Sequence, residues 1–437
     1  MEDVARTRLL QAVASNRLVI LAGAGLSMAA PNAVPGAAAI AAECANRYLR
    51  EGLTLPPDVV GDIEKIANYF LSTNSLDHFL TELVPWEKFR KPPNSGHAAI
   101  ADFLACRMIH AAVTTNFDAI IEQAAALLGE PRFRAIVCET ELPIQTEHGP
   151  LLKVHGCEVR DSSKTIWCSE QLNREPAMSR LARFREWLQV NLAGRDLVLV
   201  GFWTDWEYLA EILSNYLPIL GDQWLFLVSP DGPGLLQNKA PKLWAWAHTG
   251  AVTFLQIPES GDTFLLDLRR ALSHVFLGSL WIDSVPNYRA LFGTDPPGPN
   301  PDYSGLDCDQ LYEIRRDLTG IPGSSIVRAK IPQLSHLTTA AYHRRILDCG
   351  GTSDGRLIHF KGRSIRVIDG SGSTLSIAKA RFSSEAPIPS GVDQVICVGA
   401  EEDYSAPNIV RGELRATIFR SGLVGTWSNQ DAIRPAL

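Results

Sequence analysis

The feature that most constrains the fold of this chain is a short apolar run that leads into a glycine turn. Residues 18–22, Leu-Val-Ile-Leu-Ala, are followed by Gly23, Ala24, Gly25 and, two residues on, Ser27. Five apolar residues match the length of a buried strand, and Ser27 can begin a helix whose N-terminal N–H groups favour phosphate. The glycines permit a tight turn that exposes backbone N–H groups to a diphosphate, or a turn that uses them for packing alone.

Similar apolar runs alternate with helical patterns through about residue 280, which is typical of a parallel sheet covered on both faces. We therefore predict an α/β, Rossmann-like parallel sheet. We interpret the long helical stretch 37–86 as an inserted helical lobe that caps a ligand cleft. The predicted strands are 18–22, 109–114, 151–154, 196–201, 223–229 and 251–256, and the predicted helices are 36–49, 62–71, 96–104, 117–128, 179–192, 205–216 and 263–276.

Beyond a Pro- and Gly-rich linker at residues 287–301, the pattern changes to short β-type runs broken by Gly, Ser and Pro. This change predicts a β-rich C-terminal domain, and we place the two domains at 1–284 and 285–437. The predicted strands of the second domain are 325–331, 356–368, 374–382, 392–398 and 411–419, with one helix near 337–347.

Composition excludes several classes of protein. The 437 residues are 46% hydrophobic and 20% charged, with a net charge of −7, so two globular domains are expected and a field that attracts nucleic acid is not. No segment has the roughly 20 apolar residues that span a bilayer. Eight scattered cysteines form no secreted-type disulfide framework, so we expect a cytoplasmic protein with reduced thiols.

Polar side chains follow two further predicted strands. Asn116 and Asp118 end the run 113–118, Val-Thr-Thr-Asn-Phe-Asp, and His155 follows strand 151–154 and precedes Gly156. Ligands of parallel sheets bind at this carboxyl edge. Asn116 can order a water or a hydroxyl, and a histidine titrates near neutrality, which suits a general base. The alternatives are that Asn116 or Asp118 only caps the next helix and that His155 is structural, as we expect of His97 and His110.

The fourth segment is the apolar strand that ends at Gly201. Gly201, Thr204 and Asp205 form the turn after it. Trp203 and Trp206 could stack on a nucleotide base or close the edge of the sheet. Ser229, at the end of the next strand, is a weaker candidate for contact with a ribose.

Together these segments resemble the NAD-binding core of the sirtuin superfamily over roughly residues 15–280. The resemblance implies that Asn116 orients a water or the nicotinamide ribose, that His155 is the general base, and that Asp118 accepts from the nicotinamide carboxamide. It implies that Ser229 lies near the adenine ribose. It also implies a set of NAD contacts: Ala22, Gly23, Ala24, Gly25, Ser27, Thr115, Asp118, Gly201 and Thr204.

Two departures from the deacylating sirtuins matter. Those enzymes carry four zinc-binding cysteines after the catalytic histidine, whereas this chain has only Cys157 and Cys168 there, too far apart for a Cys-x-x-Cys pair. We therefore expect no metal. The Gly-Ile-Pro-Asp-Phe-Arg run of the deacylases is also replaced, at residues 31–36, so a groove for acyl-lysine is doubtful.

Residues 63–83, 92–97 and 114–122 instead resemble the sirtuin-like domains of bacterial anti-phage defence proteins, which hydrolyse NAD+. The resemblance implies a hydrolase that releases nicotinamide and ADP-ribose and depletes cellular NAD+ when activated. It also implies restraint by a protein partner, such as a short Argonaute, an ATPase or a phage protein, or by a homo-oligomer, with the C-terminal domain as the sensing, assembly or partner-binding part. The alternatives are a zinc-less protein deacylase and a non-catalytic module that binds NAD or ADP-ribose.

Overall fold

The structure is a computed structural model in which residues 3–130, 132–144, 148–204, 206–216, 221–319, 334–383, 391–402 and 426–437 are described. The chain divides into two compact units. The first comprises Met1–Ala126 and Arg132–Leu268, and the second comprises Leu127–Pro131 and Arg269–Leu437. Among the described residues, no helix has the length and apolar character required to cross a membrane.

The first unit is built on a six-stranded parallel sheet of order β3-β2-β1-β4-β5-β6. Five of its strands are mostly apolar and almost entirely buried because helices cover both faces, whereas the edge strand β6 is mostly half-buried. All six predicted strands are confirmed to within two residues. The strands are β1 (Leu18–Ala22), β2 (Ala111–Thr114), β3 (Leu151–Lys153), β4 (Asp196–Val200), β5 (Trp224–Val228) and β6 (Thr253–Ile257).

The order of the strands reverses at β1, which pairs with β2 on one side and with β4 on the other. In open parallel sheets a ligand crevice forms outside the carboxyl ends of the strands at such a reversal. The residues that directly follow β1, β2 and β4 are therefore the ones that this topology brings together.

The helices of the first unit are α1 (Asp3–Ala14), α2 (Ala24–Met28), α3 (Ala37–Arg50), α4 (Ile63–Ser72), α5 (Leu76–His78), α6 (Ser95–Ala105), α7 (Ile120–Leu127), α8 (Ala177–Leu192), α9 (Glu207–Tyr216), α10 (Pro233–Lys239) and α11 (Pro241–Ala247). Helix α12 (Gly261–Asp283) contains the division between the two units. The predicted helices correspond to α3, α4, α6, α7, α8, α9 and α12, whereas α1, α5, α10 and α11 were not predicted and α2 begins at Ala24 and not at Ser27.

The predicted helical lobe is present between β1 and β2. Helices α3 and α4 and the π-helical turn Phe79–Leu83 share one buried apolar cluster, which includes Ile40, Ile66 and Phe70. Phe70 and Phe79 stack with their ring centroids 5.7 Å apart. This cluster also includes Ile120, Trp167 and Cys168, so the lobe packs against the parallel-sheet part of the unit.

The second unit contains a separate mixed sheet of order β11-β10-β9-β8-β7. The strands β7 to β9 are antiparallel neighbours, whereas β9, β10 and β11 run parallel. The elements are α13 (Val285–Phe292), α14 (Cys308–Thr319), α15 (Leu334–Asp348), β7 (Thr352–Asp354), β8 (Leu357–Phe360), β9 (Arg363–Asp369), α16 (Leu375–Ser383), β10 (Gln394–Val398) and β11 (Thr426–Asn429).

Several predictions for the second unit are wrong in detail. The single strand expected at 356–368 is two antiparallel strands, β8 and β9. The helix expected near 337–347 is present as α15, but α13, α14 and α16 accompany it. Residues 374–382 were expected to form a strand, but α16 occupies this stretch because the parallel strands β9 and β10 need a crossover connection between them. The first six residues of the expected linker at 287–301 belong to α13. The predicted strands at 325–331 and 411–419 lie outside the described residues.

Candidate active site

A cavity of about 520 Å³ lies at the carboxyl edge of the parallel sheet. Turns after β1, β2, β3 and β4 form one side of it, and the helical lobe contributes apolar side chains such as Ile40 and Ile63. Eight of the eleven candidate residues line it together: Ala24, Ser27, Thr115, Asn116, Asp118, His155, Gly201 and Thr204. The topology thus places most of the predicted set around one cavity.

The remaining candidates lie elsewhere. Ala22, Gly23 and Gly25 belong to the β1 turn but are not among the lining residues. Ser229 also lies outside the lining, and its hydroxyl accepts from the N–H of Asp231 at 3.2 Å. Asp205 is outside the described residues.

The glycines of the β1 turn serve close packing against the β4 turn. The N–H of Gly23 donates to the carbonyl of Val200, and the N–H of Gly25 donates to the carbonyl of Gly201, both at 2.9 Å. A Cβ atom on Gly25 would lie 2.8 Å from the Cα of Gly201. These two amides are therefore engaged within the protein, which corrects the expectation that the turn leaves them to a diphosphate. Ala24 is the residue of this turn that lines the cavity.

Ser27 is the centre of a buried hydrogen-bond network beside the cavity. Its hydroxyl donates to Asp118 Oδ2 at 2.9 Å and accepts from Asn116 Nδ2 at 3.1 Å, and His97 Nε2 lies 3.1 Å from the same oxygen. His97 is held at the start of α6 by Asn94, whose Oδ1 is 2.6 Å from His97 Nδ1. We expected His97 to be structural only, yet it contacts a candidate site residue. The one available signal was the spacing of Asn94 and His97, which forms a capping box.

The side chain of Asn116 has a fixed orientation. Its Nδ2 donates to the carbonyl of Gly23 as well as to Ser27, both at 3.1 Å, so both amide hydrogens are used. No described residue donates a hydrogen bond to Asn116 Oδ1, and Asn116 lines the cavity. Asn116 therefore offers a positioned acceptor to a ligand. Helix capping falls to Asp118 instead, whose Oδ1 accepts from the N–H of Ile120 at 3.2 Å.

A buried cation supports this side of the site. Lys153, on β3, is 1% exposed and donates to the backbone carbonyl of Asp118 and to Glu122 Oε1, the latter at 3.2 Å. Burial lowers the pKa of Lys153, but Glu122 and other neighbours more than offset this, so its pKa is raised. Burial also raises the pKa of Asp118, against the opposing effects of Lys153 and Ser27. No pattern in the sequence indicated that the side chain of Lys153 would be buried.

His155 is enclosed by aromatic side chains. Its Nε2 is 2.6 Å from the hydroxyl of Tyr208, and its ring lies 4.6 Å from that of Trp206 at an interplanar angle of 35°. Burial, followed by the charge of Arg180, lowers the pKa of His155 to about 3. This corrects the expectation of a pKa near neutrality. Trp206 therefore covers His155, whereas Trp203 donates its indole N–H to the carbonyl of Leu236 at 2.8 Å.

The segment that follows His155 is ordered by side-chain hydrogen bonds. Arg180 donates to Asp161 Oδ2 at 3.0 Å and to the carbonyl of Lys164 at 2.8 Å. Gln171 Oε1 accepts from the N–H groups of Trp167 and Cys168.

Within the described ranges, no group of three or more His, Cys, Asp or Glu side chains is arranged to hold a metal ion.

The two buried histidines of the site, His97 and His155, make the free energy of unfolding depend on pH. Burial lowers the pKa of His97 to about 4 and that of His155 to about 3, both below the value of 6.5 for an exposed histidine. Because the unfolded chain binds these protons first, their contribution to stability is present above pH 6.5 and is lost as the pH falls. We expect each histidine to lower the free energy of unfolding by about 1.5 kcal/mol between pH 6.5 and pH 5.

Urea unfolding at several pH values measures this effect. His97→Gln and His155→Gln should each reduce the slope of unfolding free energy against pH below 6.5, because each removes one group that titrates. Leu104→Ala, at a fully buried apolar position, is the control: it should lower stability by the same amount at every pH. Parallel curves for the wild type and both histidine variants would contradict the prediction.

An open parallel sheet with its ligand cavity at the strand-order reversal defines a class of α/β domains that bind nucleotides. Residues 110–251, which include Asn116, Asp118, His155 and Gly201, match the model of the SIR2-like domain. No curated protein matches the sequence of the chain.

Solved structures of similar fold were also found. The crystal structure of a Sir2 homologue in complex with NAD is 14% identical, with a TM-score of 0.36 over 61% of this chain and 93% of the homologue. A second solved structure comes from work on the structural basis of sirtuin substrate affinity. Its sequence is also 14% identical to this chain, with a TM-score of 0.37 over 62% of this chain and 99% of that chain.

Proposed function

We propose that the first unit binds NAD+ and hydrolyses the bond between nicotinamide and ribose, giving nicotinamide and ADP-ribose. The observation that carries this proposal is the position of Asn116. Its amide is locked by Gly23 and Ser27, and its Oδ1 is left as an acceptor at a cavity that Asp118 and His155 also line. The match of residues 110–251 to the SIR2-like domain supports NAD+ as the ligand.

The chemistry needs little from the protein beyond positioning. Nicotinamide leaves NAD+ from a pyridinium, so the leaving group needs no proton, and positive charge moves onto the ribose as the bond breaks. Asn116 Oδ1 accepts a hydrogen bond from a water and directs the oxygen of that water towards the ribose carbon. The water oxygen bonds to that carbon, its proton passes to solvent, and NAD+ plus water gives ADP-ribose, nicotinamide and one proton.

We assign the remaining residues by their place around the cavity. Asp118 accepts from the carboxamide of nicotinamide, and Ala24 and Ser27 lie along the nucleotide. Gly201 and Thr204 line the cavity from the β4 turn, which packs against the β1 turn. Trp203, which also lines the cavity, is the aromatic face available to adenine. Ala22, Gly23 and Gly25 shape the turn on which these contacts depend.

We place this activity in bacterial anti-phage defence, where activation depletes NAD+ in the cell. An unrestrained NAD+ hydrolase would kill its host, so a trigger must control it. The C-terminal residues 285–437 form the sensing, assembly or partner-binding part of this proposal, and a protein partner or a homo-oligomer supplies the restraint. A zinc-less deacylase and a non-catalytic NAD-binding module are the competing functions.

The test is loss of NAD+ caused by the purified full-length protein, alone and after addition to lysate of phage-infected cells, with nicotinamide and ADP-ribose measured by mass spectrometry. We expect Asn116→Ala to lower the rate by about 100-fold or more, because it removes the positioned acceptor. Asn191→Ala, which replaces an asparagine outside the cavity lining, is the matched control and should keep the wild-type rate.

Three outcomes separate the competing functions. Nicotinamide release without any acyl-peptide supports the hydrolase, and release confined to infected lysate supports its regulation. Release that requires an acyl-lysine peptide supports the deacylase. NAD+ that binds in calorimetry but is not consumed under either condition supports the binding module and contradicts the proposal.

A further inference from the structure

Tyr208 is the only described residue that hydrogen-bonds the imidazole of His155. It lies on the side of the imidazole that faces away from the cavity. The Tyr208 hydroxyl lies 2.6 Å from Nε2. Tyr208 is 4% exposed and packs into the apolar core of the first unit from α9, together with Ile212 and Leu213 of the same helix. His155 lines the cavity but Tyr208 does not. The phenol is therefore a fixed part of the core that contacts the imidazole on the side away from the ligand space.

The aromatic neighbours fix the plane of the imidazole as well. Trp206 lies 4.6 Å from the His155 ring at 35°, and Phe117 lies 6.3 Å from it, also at 35°. Trp206 and Tyr208 both come from the short connection between β4 and α9 and its first turn. The ring of His155 is thus held both in plane and at one nitrogen before any ligand binds.

The direction of the Tyr208–His155 hydrogen bond follows from the number of hydrogens that the phenol and the imidazole carry. Burial raises the pKa of Tyr208 and lowers that of His155 to about 3, so the phenol keeps its proton and the imidazole is neutral. A neutral imidazole has one N–H and one acceptor nitrogen. If Nε2 carried the hydrogen, the buried O–H of Tyr208 would have no acceptor among the described residues. If Tyr208 donates to Nε2, every donor of the pair is used and the imidazole hydrogen sits on Nδ1.

We propose that Tyr208 is a positioning residue that holds His155 in the tautomer with hydrogen on Nδ1, so that His155 presents an N–H donor and not a base to the cavity. No described residue accepts from Nδ1, which leaves this N–H to a ligand. In the NAD+ reaction, on whose proposal this role depends, the N–H donates to a hydroxyl oxygen of the nicotinamide ribose. His155 then orients the ribose, while the attacking water loses its proton to solvent.

The tautomer is observable without any substrate. The full-length protein labelled with ¹⁵N in its histidines reports, for each ring, which nitrogen carries hydrogen, and the spectrum of His155→Gln identifies the signals of His155 among the ten histidines. We expect Nδ1 of His155 to carry the hydrogen in the wild type at pH 7. In Tyr208→Phe the donor to Nε2 is gone, and we expect hydrogen to move to Nε2 in a large part of the molecules.

Tyr303→Phe is the matched control, because the hydroxyl of Tyr303 is also buried but contacts no polar group among the described residues. It should leave the signals of His155 unchanged. Hydrogen on Nε2 in the wild-type protein overturns the proposal, and so does a His155 ring that is identical in the wild type and in Tyr208→Phe. The wild-type spectrum decides the question even where Tyr208→Phe does not fold.

Kinetics then separate this role from the proposed function. We expect Tyr208→Phe to lower kcat for NAD+ by about 10- to 100-fold with little change in KM, because the partner that orients a histidine affects the reacting geometry more than binding. We also expect kcat of the wild type to show no dependence on a histidine pKa between pH 5 and pH 8. Absence of NAD+ turnover with hydrogen on Nδ1 contradicts the proposed function and leaves the tautomer established.

Discussion

Replacing Lys153 with alanine is expected to lower the free energy of unfolding by about 3–5 kcal/mol. The ammonium group is 1% exposed and lies between the backbone carbonyl of Asp118 and the carboxylate of Glu122. Without the ammonium group, Glu122, whose side chain is 17% exposed, remains as a largely buried charge with no counterion among the described residues. A domain of ordinary stability, about 5–15 kcal/mol, would lose a large share of it.

Urea unfolding measures this loss, and Lys239 supplies the matched control. Lys239 forms an ion pair with Asp231 at 2.6 Å, but these two side chains are 48% and 32% exposed. We expect Lys239→Ala to cost at most about 1 kcal/mol, because solvent screens an exposed pair. The double variant Lys153→Ala with Glu122→Gln should recover part of the loss. If Lys153→Ala cost no more than Lys239→Ala, the buried pair would not support the site as described.

Gly201→Ala is the second change with a large expected effect. Gly201 has φ +59°, and a Cβ on it would lie 2.3 Å from the backbone N of Leu26 and 2.9 Å from the Cα of Gly25. Neither neighbour is a flexible side-chain end, so the turns after β1 and β4 would have to separate. We expect a loss of about 2–5 kcal/mol in stability, from the left-handed backbone and from overpacking together. NAD+ binding should weaken as well, because Ala24 and Thr204 lie on these turns.

Gly221→Ala separates the two causes. Gly221 also has a positive φ, +75°, but a Cβ there would meet no atom of the described residues within 4 Å. It should therefore show the backbone cost alone, about 1–2 kcal/mol. Equal losses for Gly201→Ala and Gly221→Ala in thermal or urea unfolding would show that the close approach of the two turns is not important for stability.

The sequence predicts the parallel sheet well because its signal is local. Each strand is a mainly apolar run, and the polar residues after the runs must share one edge once the strands are parallel. Asn116, Asp118 and His155 follow from this reasoning without any three-dimensional information. The second unit was harder to predict, since the composition of residues 374–382 does not reveal the crossover that β9 and β10 require.

The contacts that tune the site were not predictable in the same way. His97 and Tyr208 reach Ser27 and His155 from helices that are 70 and 53 residues away along the chain. Their roles depend on how α6 and α9 pack, which no local pattern encodes. The pKa of His155 depends on the same packing, because it is the enclosure by Trp206 and Tyr208 that removes the imidazole from water.

The most direct test of the account is the structure of the Asn116→Ala variant with NAD+ bound, because this variant should bind NAD+ and not consume it. We predict that the nicotinamide ribose lies in the cavity beside residue 116, with a ribose hydroxyl within hydrogen-bond distance of His155 Nδ1 and the carboxamide at Asp118. NAD+ bound with its nicotinamide end outside this cavity, or a ribose that contacts neither residue 116 nor His155, would contradict the account.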